Sequence, residues 1–205
     1  MARLQDTSTE RDTKVSGLAS GDLRVSKAVG WVPTGHRGGL PWAMVGQISL
    51  AGSAEAALAG AGIPVVPADM TWASLQGADV AFVVHDPLCP LTPASFLARA
   101  VDVAAATGDV VVGYRPVTDT IKTVTDGSVG GTVDREALVA LTSPLVLPPG
   151  VVAKLPDWPD TSDLADLVVS LSTRFPVRFL EAGSLGRRVA DASALRLLEA
   201  FAGAC

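Results

Sequence analysis

Short, continuous runs of apolar residues rich in valine alternate along this chain with segments of helical spacing. The runs ADVAFVVHD (residues 78–86) and DVVVGY (residues 109–114) are the clearest, and neither alternates with polar residues as a half-exposed strand would. Strands that are apolar on both sides belong to sheets covered on both faces, as parallel sheets usually are. We therefore predict a three-layer α/β/α, Rossmann-like domain with a mostly parallel sheet.

The segments between these runs have the spacing and end signals of helices. The segment TPASFLARAVDVAAATG has Thr92 as a candidate cap and Gly108 as a terminator. Further helices are predicted over residues 50–62 and 161–175, and a final helix from about Asp191. Additional strands are predicted at SKAVGWVP, IPVVP, SPLVLP and VRFLEA.

The α/β rhythm is interrupted by a predicted β-hairpin at about residues 115–133. Apolar and polar residues alternate there around Asp126-Gly127, a dipeptide typical of tight hairpin turns. A helix is predicted to begin near Asp134, before the chain returns to the sheet at SPLVLP.

Length, composition and charge limit the domain organisation and the partners that we expect. Residues 1–24 are polar and aperiodic and are predicted to be a flexible tail, and residues 25–205 a single domain. The net charge of −5 argues against a partner as acidic as nucleic acid. Cys89 and Cys205 have no metal-ligand spacing. The sequence contains no apolar run that suggests a signal peptide or a membrane span, so we expect a cytoplasmic protein without membrane contact.

Asp86 stands where a buried strand reaches the surface, in the stretch VVHDPLCPLTP. The carboxyl ends of strands in open α/β sheets are where ligands bind. Asp86 is thus a candidate ligand or metal contact, or an ordinary turn former, and the stretch itself does not decide between them. We expect the neighbouring His85 to be a structural residue that forms hydrogen bonds.

Residues 83–142 resemble the methylerythritol-phosphate cytidylyltransferases of isoprenoid precursor synthesis. VVHDPLCPLTP is similar to that family's His-Asp-Ala-Ala-Arg-Pro turn. PVTDTIKTVTDGSVGGTVDREALVALTSP is similar to its Pro-Val-x-Asp-Thr-x-Lys hairpin, its Val-Asp-Arg and its Leu-Thr-Pro segment, at preserved spacing. The ending GRRVADASALRLLEAF is a weaker match.

The resemblance implies a fold, a reaction and a set of site residues. That family transfers CMP from CTP to a sugar phosphate with Mg²⁺, on a nucleotidyltransferase sheet whose hairpin arm reaches across a homodimer. By the resemblance, Asp86 is the acidic residue of the active site and a candidate Mg²⁺ contact, and Arg37 stands in for the arginine of the triphosphate loop. The groups expected to hold the sugar phosphate are Thr120, Arg135, Thr142 and Arg188.

The nucleotide half departs from the family pattern. In VPTGHRGGLPWA, which is shorter than the family's loop, Trp42 takes the place of the lysine. PADMTWASLQ replaces the run that reads cytosine, and Cys89 replaces the arginine of the His-Asp turn. We therefore predict weak or lost cytidylyl transfer. Two alternatives stay open: a non-catalytic, dimeric protein that binds sugar phosphates or regulates, and a nucleotidyltransferase with another nucleotide or acceptor.

Overall fold

The structure is a computed structural model that describes residues 27–118, 121–134 and 138–202. The N-terminal segment predicted to be a flexible tail therefore lies outside the described residues. In chain order the described strands are β1 (Ala28–Trp31), β2 (Met44–Val45), β3 (Ile48–Ser49), β4 (Ala81–Val84), β5 (Val110–Pro116), β6 (Ile121–Thr125), β7 (Ser128–Val133), β8 (Val139–Leu147) and β9 (Val177–Glu181). The helices are α1 (Leu50–Gly60), α2 (Trp72–Gln76), α3 (Ala94–Thr107), α4 (Pro149–Val152), α5 (Leu164–Ser172) and α6 (Ala192–Ala202), with 3₁₀ turns at Leu40–Trp42 and Ser184–Gly186.

Five strands form the central sheet in the order β1-β4-β8-β5-β9. The pairs β1–β4 and β5–β9 are parallel, whereas β8 runs antiparallel to both of its neighbours. Four of the five strands thus point the same way, and the predicted α/β fold with a mostly parallel sheet is confirmed. Their carboxyl ends lie at one edge, where His85 and Asp86 directly follow β4.

The two faces of the sheet bury different apolar residues. Along β4, Phe82 and Val84 pack in one cluster with residues of α2, α4 and α5, while Ala81 and Val83 pack in the other with residues of α1 and α3. Alternation along a strand sends successive side chains to opposite faces. Phe82 is fully buried, and burial of a side chain of this size stabilises the fold by about 1.5–3 kcal/mol. Helices therefore cover the sheet on both faces.

The local signals of α3 are partly confirmed. Gly108 ends the helix in the left-handed region, at φ 72°, which glycine adopts without the steric cost of a Cβ. The predicted cap is wrong, because Pro93 is the N-cap and forms no side-chain cap. Thr92 instead donates its hydroxyl to the carbonyl of Cys89, at 2.9 Å, and so stabilises the turn that precedes the helix.

The hairpin β6–β7 turns at Asp126-Gly127, whose φ angles of 50° and 77° are both left-handed. Two positive φ angles in succession give the turn that matches the natural twist of a hairpin. The helix predicted near Asp134 is wrong, since the chain is already in β8 from Val139, paired with Pro116 of β5. Pairing in the sheet thus outweighs the helical propensity of this Ala- and Leu-rich segment. The predicted strand IPVVP is reduced to one parallel bridge, between Gly30 and Val65.

Within the described residues, no helix has both the length and the apolar character needed to cross a membrane.

Candidate functional site: arginines around Asp86

The turn after β4 holds Asp86 by its backbone and its side chain. Its amide donates to Ser143 Oγ at 2.7 Å, and its Oδ1 accepts from the amide of Leu88 at 3.0 Å. The amide of Cys89 donates to the carbonyl of Asp86 at 2.9 Å. Asp86 is therefore a turn former, as one of the two interpretations of the sequence allowed, but its carboxylate has further partners.

Two arginines from distant parts of the chain donate to this carboxylate. Arg37 Nε lies 2.9 Å from Oδ1, and Arg188 Nε lies 3.1 Å from Oδ2. The Asp86 side chain is only 9% exposed. Both oxygens of the Asp86 carboxylate are thus occupied. The trio of Arg37, Asp86 and Arg188 has one more positive than negative charge. A site of this kind attracts an anion rather than a cation.

Arg37 and Arg188 differ in how many of their guanidinium nitrogens remain free to bind a ligand. Arg37 is 7% exposed, and its two other nitrogens donate to the carbonyls of Gly35 and Thr161, at 2.8 and 3.1 Å. Arg188 uses only Nε within the described residues, and 45% of its side chain is exposed. Arg37 is therefore committed to the protein interior, whereas Arg188 has donors left for a ligand.

Thr142 lies beside this trio but has no free proton. It is buried and donates its hydroxyl to the carbonyl of Gly186. Its Oγ1 lies 3.3 Å from Cys89 Sγ, so the thiol is the donor in that contact. Burial, and to a lesser degree the charge of Asp86, raise the pKa of the Cys89 thiol. The raised pKa favours the protonated thiol of Cys89, which is a weaker nucleophile than the thiolate.

His85 is fully buried, and neither ring nitrogen has a hydrogen-bond partner among the described residues. Our expectation of a hydrogen-bonding role for its side chain is therefore wrong for the part of the chain described. Burial lowers the pKa of His85 to about 4, although the nearby Asp86 carboxylate acts in the opposite direction. The imidazole is consequently neutral at neutral pH.

A cavity of about 510 Å³ adjoins the trio on the Arg188 side. Arg115 and Arg187 line it together with Arg188 and Ser184. The apolar part of the lining consists of Leu91, Leu185, Val189, Ala194, Leu197 and Leu198. This combination of a mostly apolar lining with a few charged donors is typical of small-molecule sites.

Arg115 and Arg187 are not among the site residues predicted from the sequence. Arg115 follows a buried valine run at the carboxyl end of β5, a position that favours ligand contact in such sheets. That signal was available in the sequence. Arg187 had no comparable signal, because only the packing of the segment before α6 brings it to the cavity. The other two expected site residues, Thr120 and Arg135, lie outside the described residues.

Mg²⁺ does not fit the residues at Asp86. The ion prefers carboxylate, phosphate and water oxygens in octahedral geometry, but both oxygens of Asp86 already accept from guanidinium groups. A dication there would lie beside two positive charges. No group of three or more His, Cys, Asp or Glu residues in the described chain could hold a metal.

The segment in the place of the cytosine-reading run has a structural role. Trp72 begins α2, is buried, and donates its Nε1 to the carbonyl of Leu155 at 2.9 Å. Gln76 donates to the same carbonyl at 2.8 Å. Trp42, in the place of the loop lysine, is 62% exposed. Neither Trp42 nor Trp72 supplies a cation.

Comparisons with known proteins agree on one family. The model of the family described as 2-C-methyl-D-erythritol 4-phosphate cytidylyltransferase matches residues 68–155. Proteins of that name from Bacillus licheniformis and Rhodococcus jostii are 37% and 43% identical over 68 and 79 residues, respectively. These matches cover 33% and 37% of this chain and 29% and 35% of the two relatives. The chain thus spans about a third of the length of the curated relatives that it matches.

Solved structures extend the likeness to nearly the whole fold. The 2-C-methyl-D-erythritol 4-phosphate cytidylyltransferase of Thermus thermophilus is similar with a TM-score of 0.66 and 20% identity, over 87% of this chain and 100% of that one. The Francisella tularensis protein of the same name gives a TM-score of 0.57 and 12% identity, over 84% and 98% of the two chains. At such low identity these similarities support the fold and not the activity.

Proposed function

We propose that this chain is a divergent member of the 2-C-methyl-D-erythritol 4-phosphate cytidylyltransferase family, whose model matches residues 68–155, and that it binds a small phosphorylated acceptor while its cytidylyl transfer is weak or lost. The acceptor would bind on the Arg188 side of Asp86. The loop that contains Arg37 and Trp42, in the place of the family's triphosphate loop, would bind CTP poorly.

One observation supports this proposal above the others: the unequal state of the two arginines on Asp86. A phosphate needs guanidinium donors that are free to approach it. Arg188 keeps such donors at the edge of a cavity that Arg115 and Arg187 also line. Arg37, the expected triphosphate contact, directs Nε, Nη1 and Nη2 to protein acceptors.

The substitutions in the segments that take the place of the family's CTP-binding motifs also favour weak or lost cytidylyl transfer. Trp42 offers one indole N–H where the family's pattern has a lysine. Loss of one preorganised charge at a comparable site costs about 10²–10³ in rate. The indole N–H of Trp72 already donates to the carbonyl of Leu155, so this side chain has no donor left with which to recognise a base.

Three further features are proposed on the family's example. The chain would form a homodimer through the hairpin β6–β7, whose strands pair with each other and not with the central sheet. A paired hairpin without further packing is only marginally stable, which favours a second surface against it. Thr120 and Arg135 would contribute to acceptor binding, and the protein would be cytoplasmic.

Calorimetric titration with methylerythritol phosphate, inorganic phosphate and CTP, followed by a pyrophosphate-release assay, tests the proposal. We expect phosphate monoesters to bind more tightly than CTP and pyrophosphate release to be orders of magnitude slower than in a B. licheniformis control enzyme. Arg188→Ala should weaken phosphate binding by tenfold or more, since charge-assisted bonds contribute about 1.5–3 kcal/mol.

Arg178→Ala is the matched control. Arg178 is similarly exposed and is also paired with one aspartate, Asp109, at 2.7 Å, but it does not line the cavity. It should leave phosphate binding unchanged. Tight CTP binding with brisk pyrophosphate release would contradict the proposal. Phosphate binding without any turnover would favour the non-catalytic alternative.

A further inference from the structure

The cavity beside Arg188 combines three guanidinium groups with an apolar lining. Arg187 and Arg188 are adjacent in the chain, and Arg115 reaches the same space from the end of β5. The side-chain CH₂ of Arg115 lies close to the segment at Gly186, 3.9 Å from where a Cβ on that glycine would be. Three cations from two elements therefore converge on one cavity.

Of these three cations, only one forms an ion pair among the residues that the structure describes. Within the described residues, Arg115 and Arg187 form no ion pair, and only Arg188 has a partner, Asp86. Arg115 is half-buried, and a partly desolvated cation without a counter-ion costs free energy. A doubly charged phosphate bound there would offset that cost, and guanidinium forks match its oxygens in geometry.

The remainder of the lining offers almost nothing to a hydroxyl group. On α6, Ala194, Leu197 and Leu198 follow the spacing of one helix face, and Ser184 is the single uncharged polar residue of the described lining. Leu185 and Leu197 are about half exposed. Exposed apolar side chains grouped beside a charged site mark a binding surface.

A polyol phosphate is a poor match for such a lining. Each hydroxyl that loses water without gaining a hydrogen bond costs free energy. A hydrocarbon body would instead gain from contact with the leucines. Arg115, Arg187 and Arg188 can bind the phosphate of a polyol phosphate or of an alkyl phosphate. The apolar lining therefore determines which of the two ligands binds more tightly.

We infer that this cavity takes a phosphate monoester with an apolar body, held by Arg115, Arg187 and Arg188 at the phosphate and by the leucines at the hydrocarbon. The inference rests on the proposed function, because it names the class of acceptor for the same site. It replaces the sugar alcohol of the family with an alkyl or alkenyl group.

Calorimetry with a homologous series tests the inference on the full chain. The probes are inorganic phosphate, n-butyl phosphate, n-hexyl phosphate and methylerythritol phosphate, with hexanol as the uncharged comparison. We expect each added methylene to tighten binding about fourfold, the factor that burial of one CH₂ supplies. Hexyl phosphate should therefore bind about 16-fold more tightly than butyl phosphate, and methylerythritol phosphate more weakly than hexyl phosphate.

Two variants separate the phosphate contacts from the hydrocarbon contacts. Arg187→Ala should weaken binding of every phosphate tested. Leu197→Ser should weaken binding of hexyl phosphate severalfold and leave inorganic phosphate unchanged. Val169→Ser is its control, since Val169 is an exposed apolar residue of α5 and does not line the cavity.

Failure of the apolar-body inference and failure of the proposed function give different binding results. A flat alkyl series, or methylerythritol phosphate binding more tightly than hexyl phosphate, would overturn the inference and leave the proposed function standing. A cavity covered by a second copy of the chain would also give a flat series. Failure of every phosphate to bind would overturn both.

Discussion

Arg188 Nε lies 3.1 Å from Asp86 Oδ2, yet nearly half of the Arg188 side chain remains exposed. One residue thus joins a buried carboxylate to a solvent-facing cavity. Asp86 orients Arg188 by accepting from Nε, which leaves the two terminal nitrogens to face a ligand. The carboxylate is therefore an organiser of cations in this protein.

Replacement of Asp86 should destabilise the fold as well as the site. Asp86→Asn would leave the buried Arg37 without its counter-ion, and breaking a buried pair costs about 3–5 kcal/mol. Urea unfolding followed by circular dichroism measures the change. The control Asp109→Asn removes an ion pair whose arginine is exposed, and it should cost less than about 1 kcal/mol. Equal effects of the two changes would contradict the role assigned to Asp86.

Stability should fall as the pH drops from about 6.5 toward 4. The pKa of His85 is about 4 in the folded protein, against 6.5 for an unperturbed histidine. Between these values the unfolded chain binds the extra proton, so stability rises with pH there, by up to about 1.4 kcal/mol per unit. Urea midpoints at pH 7.5, 6 and 5 test this.

Variants at the protein's two histidines assign that pH dependence. His85→Gln should flatten the change in unfolding free energy between pH 7.5 and 5. His36→Gln should retain it, because His36 is exposed and has no part in the buried site of His85. A wild-type profile without slope in this range would refute the buried, neutral imidazole.

Gly113 should tolerate no side chain, because β5 passes very close to β8 at this point. A Cβ on Gly113 would lie 2.5 Å from the carbonyl oxygen of Ser143, a backbone atom that cannot rotate away. Gly113→Ala should therefore destabilise the protein by about 1–3 kcal/mol or more, measured by thermal unfolding. Gly131→Ala is the control, since nothing lies within 4 Å of its Cβ position. The Gly113 variant should also lose phosphate affinity, because Ser143 Oγ accepts from the Asp86 amide.

The apolar pair on the hairpin should mediate self-association. Val124 and Val129 face each other in register and are 66% and 72% exposed. Val124→Ser combined with Val129→Ser should weaken dimerisation in sedimentation equilibrium without a change in core stability, because neither side chain belongs to the core. Val169→Ser provides a control for loss of one exposed apolar side chain elsewhere. A monomeric wild type at micromolar concentration would contradict the proposed dimer.

Local sequence signals determined much of the architecture and one element of the site. The valine runs predicted β4 and β5 because strands buried on both faces need no polar alternation. Asp126-Gly127 predicted the hairpin turn, since that dipeptide tolerates two positive φ angles. Asp86 was identified from its place after a buried strand. Each of these signals lies within a few residues of the feature that it predicts.

Only the tertiary structure decided what the site residues contact. Asp86 meets Arg37 and Arg188 across 49 and 102 positions of sequence, and no local pattern encodes such separations. The commitment of Arg37 to Thr161 and the addition of Arg115 to the cavity follow from how β1, β5 and the segment before α6 reach one edge of the sheet. The same long-range pairing placed β8 where local propensity favoured a helix, because hydrogen bonds to β4 and β5 outweigh the small free-energy differences of helix propensity.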